Sequence, residues 1–501
     1  EEKHFSPVRM EPLLELATLE TLSDPAMARE LRRALMDPAA PDPSVEAILH
    51  ALLPFPFVDH THADAVVSLT NTPSGEQWIR DVYGDSVVVI PYVMPGFRLS
   101  RLCAQLFPEQ AHAGTIGMVL MNHGIFSFGA TAKESYDRMI ALVAQAEDFL
   151  TSNGAWNIPL GPAPLPLEQR VAVSIADRRK AISDAAGFPV LLTVHDSDRT
   201  RAFARHPEVS RLSQQGPATP DHVIRTKRVP LLGDDVDGYV REYGGYFAEN
   251  SPKVDAELTM LDPAPRVVLD PVWGLATVGR SAKEAAIPRD IYAQTVDIIL
   301  RSEALEAWKA LPPFDIFEVE YWDLEQAKLR KQGTRPVFAG EVVLVTGAAS
   351  GIGAACVASF RAQGAAVVAL DIAESVETAF SGADVLGIRC DVTDSAQVAD
   401  AVERAVRTFG GVDMAVLNAG ILLPSAPIAS IGLDSWRRTQ QVNVEGNVVL
   451  MQALHPLLKR SPRRGRVVIV ASKNVPAPGP GMAAYSSSKA ALTQLGRVAA
   501  L

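Results

Sequence analysis

The sequence predicts an α/β protein throughout, with a doubly wound parallel sheet in its last third. From residue 342 onward, apolar strands alternate with helical segments, which is the βαβ rhythm of such a sheet. Short apolar strands at 86–91 and 117–121 also alternate with helical patterns. Residues 124–134 align without gaps on residues 274–284, and helical patterns follow at 135–150 and 289–308. This similarity predicts a degenerate duplication of one strand-turn-helix unit.

Length and composition indicate several domains and small-molecule partners. A chain of 501 residues exceeds the roughly 250–300 residues that one hydrophobic core supports. Its formal charge of -11 argues against a nucleic-acid partner, and no apolar run reaches the about 18 residues of a membrane helix. We therefore expect no nucleic acid and no membrane contact. With 3 cysteines and no secretory signal, we expect a cytoplasmic location.

Composition also sets the expected domain boundaries. Residues 153–169 combine an Asn-Gly step with closely spaced prolines, which neither a helix interior nor a central strand accommodates. A first domain is therefore predicted at 1–152, and the duplicated unit with its connector at 153–330. A basic connector containing glycine and proline then leads into a third domain at 338–501. Because the chain stops in a helical pattern, we expect a fragment truncated at both ends.

The third domain opens with an apolar strand, a glycine turn and a helix. Gly347, Gly351 and Gly353 would let the backbone approach a pyrophosphate, and the helix N-terminus would offer free N–H groups to its charge. Asp371 ends the next strand, where a carboxylate would accept hydrogen bonds from a ribose 2′-hydroxyl and repel a 2′-phosphate. We expect NAD rather than NADP.

Further motifs follow in a fixed order: Cys-Asp-Val-Thr at 390–393, Asn-Ala-Gly at 418–420, Asn443, Ser472, and Tyr-Ser-Ser-Ser-Lys at 485–489. With this set, the region from Phe338 onward resembles the short-chain dehydrogenase/reductase family. The resemblance implies a Rossmann fold that transfers hydride between a substrate carbon and NAD. The cofactor-binding residues that it implies are Gly347, Ser350, Gly351, Ile352, Gly353, Asp371, Asp391, Val392, Asn418, Ala419, Gly420, Tyr485 and Lys489.

Tyr485 and Lys489 are the expected proton-transferring pair. They stand four residues apart on a predicted helix and so share a face, where the ammonium can favour the ionised phenol. By the resemblance, Ser472 hydrogen-bonds the substrate oxygen and Asn443 holds a proton-relay water. Lys489 also binds the nicotinamide ribose, and Asp391 and Asn418 line the adenosine side.

A second candidate site lies near the start of the chain. His60 and His62 project from the same face of a predicted strand, and His123 follows another strand. With these histidines, residues 1–150 resemble the class II aldolase/adducin family, which implies a divalent metal, expected to be zinc, with an open position for substrate. Glu46 matches the catalytic carboxylate of that family. Because Glu46 lies near a predicted helix start, ordinary helix capping is the alternative explanation for it.

The duplicated unit is expected to have lost this metal site. Trp273 takes the position of His123, and no His-x-His pair precedes it. A packing or subunit-contact role is therefore predicted for the unit. We expect the histidines without a partner at ligand spacing, among them His195 and His222, to be structural or exposed.

The whole chain resembles bacterial bifunctional proteins of the rhamnulose-1-phosphate aldolase/alcohol dehydrogenase type. The resemblance implies cleavage of a (deoxy)ketose 1-phosphate to dihydroxyacetone phosphate and a hydroxyaldehyde, and NAD-dependent oxidoreduction of an aldehyde or alcohol. It also implies a homo-oligomer. Two alternatives stay open: a dehydrogenase with a non-catalytic adducin-like assembly module, and a metal-dependent pentulose-phosphate epimerase fused to a dehydrogenase.

Overall fold

The computed structural model describes residues 5–159, 171–323 and 335–501, which we call the first, second and third units. Each unit contains one β-sheet covered by helices. The predicted proline-rich boundary at 153–169 and the basic connector before residue 338 lie largely outside the described residues. Among the helices of these three ranges, none is both long and apolar enough to cross a membrane.

The first unit has a four-stranded sheet in the order β1-β4-β3-β2. Strand β4 runs antiparallel to β1 and β3, whereas β2 runs parallel to β3. The strands are β1 (Phe57–Thr61), β2 (Val87–Ile90), β3 (Gly117–Leu120) and β4 (Gly124–Gly129). The helices are α1 (Met10–Ala17), α2 (Asp24–Arg33), α3 (Ala47–Leu52), α4 (Asp64–Thr70), α5 (Gly75–Tyr83), α6 (Phe97–Gln110) and α7 (Ala132–Ser152).

The second unit repeats this topology, with the order β5-β8-β7-β6 and the same pair directions. This agreement supports the predicted duplication. The strands are β5 (Leu191–His195), β6 (Leu231–Leu232), β7 (Val267–Asp270) and β8 (Gly274–Gly279). The helices are α8 (Ala172–Ala186), α9 (Asp198–Ala204), α10 (Val209–Ser213), α11 (Val223–Thr226), α12 (Val236–Asn250), α13 (Ala282–Leu305) and α14 (Pro313–Glu320).

The start of α13 corrects one prediction. The sequence pattern placed this helix at 289–308, after Pro288, but it begins at Ala282 and carries Pro288 within it. The reason is a capping box: the Ser281 hydroxyl accepts a hydrogen bond from the Glu284 N–H, and the Glu284 carboxylate accepts one from the Arg280 N–H at 3.0 Å. These two bonds fix the helix start before the proline is reached. The helix ends at Leu305, so Trp308 lies outside it.

The third unit confirms the predicted doubly wound parallel sheet. All five strands are parallel, in the order β11-β10-β9-β12-β13. The strand order reverses between β9 and β12, where a crevice forms outside the carboxyl ends of such strands. The strands are β9 (Val342–Thr346), β10 (Ala366–Asp371), β11 (Val385–Arg389), β12 (Met414–Leu417) and β13 (Arg466–Ile469). The helices are α15 (Gly351–Ala362), α16 (Ser395–Phe409), α17 (Leu433–Gln440), α18 (Gly446–Leu458) and α19 (Ala483–Ala499).

The second and third units share one hydrophobic core. Ile175 and Leu192 of the second unit belong to the same buried cluster as Val398 and Phe409 of the third. A buried ion pair crosses the same boundary: Arg179 Nη2 lies 2.6 Å from Asp413 Oδ2, with side-chain exposures of 3% and 0%. Asp413 also accepts a hydrogen bond from the Val342 N–H at 2.7 Å, at the start of β9. The boundary between these units is therefore packed like a domain interior.

Candidate active sites

The three predicted metal ligands meet at one end of the first sheet. Antiparallel pairing of β1 with β4 sets His60 opposite Phe126, and His62 follows immediately after β1. His123 lies in the turn between β3 and β4. One ligand nitrogen from each ring lies within 4.8 Å of the other two. Within the described ranges, no other three side chains of metal-ligand type form such a group.

The hydrogen bonding of His60 leaves one ring nitrogen available. Its Nδ1 lies 3.1 Å from the carbonyl oxygen of Ile125, so Nδ1 carries the proton and Nε2 keeps a lone pair. That Nε2 atom is buried and has no hydrogen-bond partner. Burial, reinforced by the neighbouring imidazoles, lowers the pKa of His60 to about 2 and that of His123 to about 4. Neutral imidazoles are the form that binds a metal, so these residues fit the divalent ion that the sequence predicts.

Glu46 lies beside the same rings. It immediately precedes α3, but its side chain makes no capping hydrogen bond. Its Oε1 atom instead lies 3.7 Å from His60 Nε2 and 3.5 Å from His123 Nε2, is buried and has no hydrogen-bond partner. Burial, and secondarily the charge of Asp221, raises the pKa of Glu46 to about 7. A carboxyl group with this pKa can both hold and release a proton near neutral pH.

Sequence patterns missed two residues that the second unit brings to this site. Asp221 and His222 lie in a short turn before α11, and Asp221 Oδ1 is 3.8 Å from His62 Nδ1. His222 is partly buried, and burial lowers its pKa while the adjacent Asp221 opposes that effect. His222 is among the histidines expected to be structural or exposed, and it is partly buried next to Asp221. The Pro-Asp-His run has no ligand spacing, so the sequence carries no signal for it.

The predicted glycine turn of the third unit has the geometry of a dinucleotide cradle. Gly347 and Gly351 adopt φ values of +65° and +55°, in the left-handed region that favours glycine. A Cβ atom at Gly353 would overlap the carbonyl oxygen of Gly347, so only glycine lets α15 pack this closely on the turn. Ser350 precedes α15 without capping it, and Ile352 in the first turn is 61% exposed. The cradle therefore fits the pyrophosphate of NAD.

The remaining predicted cofactor residues border the same crevice. Asp371 ends β10, and its carboxylate accepts hydrogen bonds from the N–H groups of Ala349 at 2.9 Å and Ala373 at 3.0 Å. Asn418 donates to the carbonyl oxygens of Thr346 and Gly347, so it holds the glycine turn in place. The Asp391 carboxylate accepts from the Thr393 N–H at 2.9 Å. Val392 is buried, and Ala419 directly follows Asn418 at the end of β12.

Three of the four predicted catalytic residues of the third unit, Asn443, Tyr485 and Lys489, lie on α19 or contact it. Tyr485 and Lys489 both lie on this helix, with Lys489 Nζ 5.9 Å from the centre of the Tyr485 ring. Lys489 Nζ donates to the carbonyl oxygen of Val470 at 2.9 Å, and burial lowers its pKa. A Cβ atom at Gly420 would lie 3.2 Å from Asn443 Oδ1 and 3.3 Å from Lys489 Nζ, so Gly420 makes room for both groups.

Asn443 and Ser472 differ in how many of their hydrogen-bonding groups are already used within the protein. Asn443 lies in a π-helical turn between α17 and α18, and its amide donates to the Ile421 carbonyl and the Ser488 hydroxyl, both at 3.0 Å. Both amide protons are thus used within the protein, and a relay water would have to donate to Oδ1 or to the backbone. Ser472 lies just after β13, and its hydroxyl accepts from the Asn474 N–H at 3.2 Å.

Comparison with known proteins assigns a family to each unit. The class II aldolase and adducin N-terminal domain matches residues 21–150, and the second domain of class II aldolases matches residues 169–329. The short chain dehydrogenase family matches residues 341–501. Together with the fold and both sites, these matches define an enzyme that combines class II aldolase domains with a short-chain dehydrogenase domain.

One relative spans the whole chain. The uncharacterized oxidoreductase YuxG of Bacillus subtilis (strain 168) is 31% identical over 99% of this chain and 75% of its own length. This chain therefore belongs to the same family of aldolase/dehydrogenase fusion proteins.

Other relatives match about a third of this chain and about two thirds of their own length. Cis-4-hydroxycyclohexanecarboxylate dehydrogenase of Sinomonas cyclohexanicum is 37% identical over 33% of this chain and 68% of its own length. Galactitol 2-dehydrogenase of Agrobacterium fabrum is 36% identical over 32% of this chain and 64% of its own length.

Two solved structures also match parts of the chain. The N-terminal class II aldolase domain of a conserved protein from Thermoplasma acidophilum is 41% identical, covering 30% of this chain and 68% of its own, with a TM-score of 0.28. NAD+-bound xylitol dehydrogenase is 33% identical, covering 32% of this chain and 65% of its own, with a TM-score of 0.31.

Proposed function

We propose that this protein is a bifunctional enzyme. Its aldolase half would cleave a (deoxy)ketose 1-phosphate to dihydroxyacetone phosphate and a hydroxyaldehyde, in a metal-dependent reaction. Its dehydrogenase half would carry out NAD-dependent oxidoreduction of an aldehyde or alcohol. The observation that carries the proposal is the group of three imidazoles beside Glu46, whose Oε1 atom is buried and unpartnered.

In the aldolase half, His60, His62 and His123 would hold the divalent metal, expected to be zinc. When bound, the metal would supply a Lewis acid for the substrate's oxygen atoms. Cleavage removes a hydroxyl proton, breaks the adjacent C–C bond, and adds a proton to the carbon that retains the electron pair. The Glu46 carboxyl, 3.5 Å from His123 Nε2, is placed to hold and return such a proton.

In the dehydrogenase half, NAD would lie on the glycine turn and accept or supply the hydride. Tyr485 would transfer the proton of the alcohol oxygen, while the nearby Lys489 ammonium stabilises the ionised phenol. Ser472 would hydrogen-bond the substrate oxygen. The hydroxyl compounds named for the relatives, galactitol and cis-4-hydroxycyclohexanecarboxylate, support an alcohol as the substrate class.

Metal removal and replacement of Glu46 test the aldolase half. Zinc-loaded full-length protein should release dihydroxyacetone phosphate from rhamnulose 1-phosphate or a related ketose 1-phosphate. The product would be measured by coupled NADH oxidation after the protein is removed, so that its own dehydrogenase half cannot consume NADH. Removing the metal should abolish release, and Glu46→Gln should lower kcat by about 10²–10⁴-fold because the proton carrier is lost. Glu109→Gln, which alters an exposed glutamate on α6, is the matched control.

Three other outcomes would contradict this half of the proposal. Metal-loaded protein that cleaves no ketose 1-phosphate is not an aldolase of this class. Less than about half an equivalent of bound metal in the purified protein would favour a non-catalytic assembly module, because a three-histidine site should be filled. Epimerisation of a pentulose phosphate without cleavage would instead identify an epimerase.

A further inference from the structure

The metal site of the first unit is bordered by a turn of the second unit. Asp221 Oδ1, 3.8 Å from His62 Nδ1, is buried and has no hydrogen-bond partner, although the side chain as a whole is 46% exposed. The adjacent His222 Nδ1 is also buried without a partner. Buried polar atoms without a partner are costly, and Asp221 Oδ1 lies beside the three imidazoles that the sequence predicts to bind a metal. Glu46 Oε1 and His60 Nε2 of the first unit are likewise buried without a partner, and the charge of Asp221 acts on Glu46.

A chain of hydrogen bonds holds this turn against the ligand-bearing turn. Asn122, which precedes His123 and adopts a left-handed φ of +58°, donates its side-chain amide to Asn71 Oδ1. Asn71 in turn donates to the carbonyl oxygen of Ala218 at 2.6 Å, across 147 positions of sequence. Ala218 lies three residues before Asp221. The position of Asp221 is therefore tied to that of His123 through a single buried amide side chain.

Helix packing supports the same junction. Ser302 on α13 of the second unit donates its hydroxyl to the Ser68 carbonyl on α4 at 2.8 Å. The Lys309 N–H donates to the Asn71 carbonyl at 2.9 Å. Because Asn71 is bonded through both its side chain and its backbone, the two units have little freedom to separate at this point.

The second unit's own equivalent of the site is filled. Trp273, in the position of His123, is fully buried, and the Arg178 guanidinium lies 5.9 Å from its ring centre. The degenerate unit therefore has no room for a metal at that turn, but it contributes a carboxylate to the site of the first unit.

We propose that the degenerate second unit completes the metal site of the first unit, with Asp221 as a positioning residue that orients the His62 imidazole. A carboxylate facing the ring nitrogen opposite the metal fixes the orientation of a ligating histidine and raises its basicity. This inference rests on the proposed function in one respect only, namely that His60, His62 and His123 bind a metal ion. It does not depend on which substrate the metal activates.

Metal affinity of the full-length protein tests this inference without an activity assay. Zn²⁺ and Co²⁺ binding would be measured by competition with a chelator, and the Co²⁺ form by its visible absorption spectrum. Asp221→Asn and Asp221→Ser should each weaken metal binding by about 10–100-fold and alter the cobalt spectrum. Asp221→Glu, which keeps the carboxylate, should restore most of the affinity. Asp237→Asn, at an exposed position of the same unit, should bind metal like the original protein.

The outcomes separate this inference from the proposed function. Original metal affinity and an unchanged cobalt spectrum in both charge-removing variants would overturn the role of Asp221. Tight metal binding without cleavage of any ketose 1-phosphate would overturn the proposed aldolase reaction. The role of Asp221 would then be decided by the metal affinities of its variants alone. A full-length protein that binds no metal at all would overturn both.

Discussion

Tyr485 carries the hydroxyl group that we propose transfers the proton in the dehydrogenase half. Tyr485→Phe removes that hydroxyl and leaves the ring, so the expected result is a loss of about 10²–10⁴-fold in NAD-dependent alcohol oxidation. NADH binding should weaken far less than the rate, because the substitution removes one hydroxyl contact and leaves the glycine turn and Lys489 untouched. Initial rates and fluorescence titration with NADH would measure the two effects.

The exposed Tyr136 on α7 offers a matched control, since Tyr136→Phe makes the same chemical change outside the dehydrogenase unit. Equal rates for Tyr485→Phe and Tyr136→Phe would remove Tyr485 from the mechanism.

Individual residues divide sharply into those that sequence could predict and those that it could not. Gly347, Gly353 and Lys489 were predictable because their neighbours in sequence are also their neighbours in space, within one turn or one helix. Asp221 and Asn71 were not, because each acts across the junction between two units. No local pattern encodes a contact such as the one from Asn71 to Ala218, 147 positions away.

At the scale of elements, strand β5 ends in a partly buried histidine that should make its pairing sensitive to pH. His195 ends this edge strand, and its Nε2 lies 2.7 Å from the Thr277 hydroxyl of β8. Burial, aided by the charge of Arg289, lowers the pKa of His195 from 6.5 to about 4. As pH falls below 6.5, the unfolded chain therefore takes up the proton before the folded chain does. Stability is expected to fall between pH 6.5 and about pH 4.

Chemical denaturation at pH 7 and pH 5 would measure this effect. The histidine should contribute a loss of about 2 kcal/mol between these values, and His195→Gln should remove that contribution. His455→Gln, at an exposed position on α18, should keep the original pH dependence. If His195→Gln and the original protein lost stability equally, His195 would not be the cause.

Element boundaries were predictable where capping chemistry was local and visible. Thr131 and Ser281 occupy matching positions in the two repeats, and each accepts a hydrogen bond from the N–H of the glutamate three residues later. The second helix begins at Ala282 rather than at the predicted residue 289, because the capping box at Ser281 fixes its first turn before Pro288 is reached. The proline removes one hydrogen bond near the helix start, which the fixed first turn tolerates.

At the scale of the whole molecule, the Arg179–Asp413 pair should couple the stability of the second and third units. Arg179→Leu leaves the Asp413 charge buried without its partner, so a loss of about 3–5 kcal/mol is expected. The double replacement Arg179→Leu with Asp413→Leu should be less destabilised than Arg179→Leu alone, because no unpaired charge remains. Urea denaturation followed by tryptophan fluorescence would measure both.

Additive losses in the double variant would contradict this coupling. Lys180→Leu, next to Arg179 but in an exposed ion pair with Asp184, serves as the control and should change stability by less than about 1 kcal/mol.

The overall class of fold could be predicted because strand and helix periodicities are local properties of the sequence. How the units join could not be predicted in this way. Arg179 and Asp413 are 234 positions apart, and neither belongs to a motif. The apolar residues of α8 and α16 that share the core are typical of any amphipathic helix, so sequence alone does not name their partner.

The shared core between the second and third units has a consequence for the gene that encodes this chain. A gene cut within the connector at 324–334 would yield two polypeptides, each exposing the apolar face that the other now covers. The two polypeptides would have to bind each other through these apolar faces, or they would aggregate. Because the units are fused in one chain, they are always produced in equal amounts. An unrelated dehydrogenase could replace the third unit only if it carried the same complementary apolar surface.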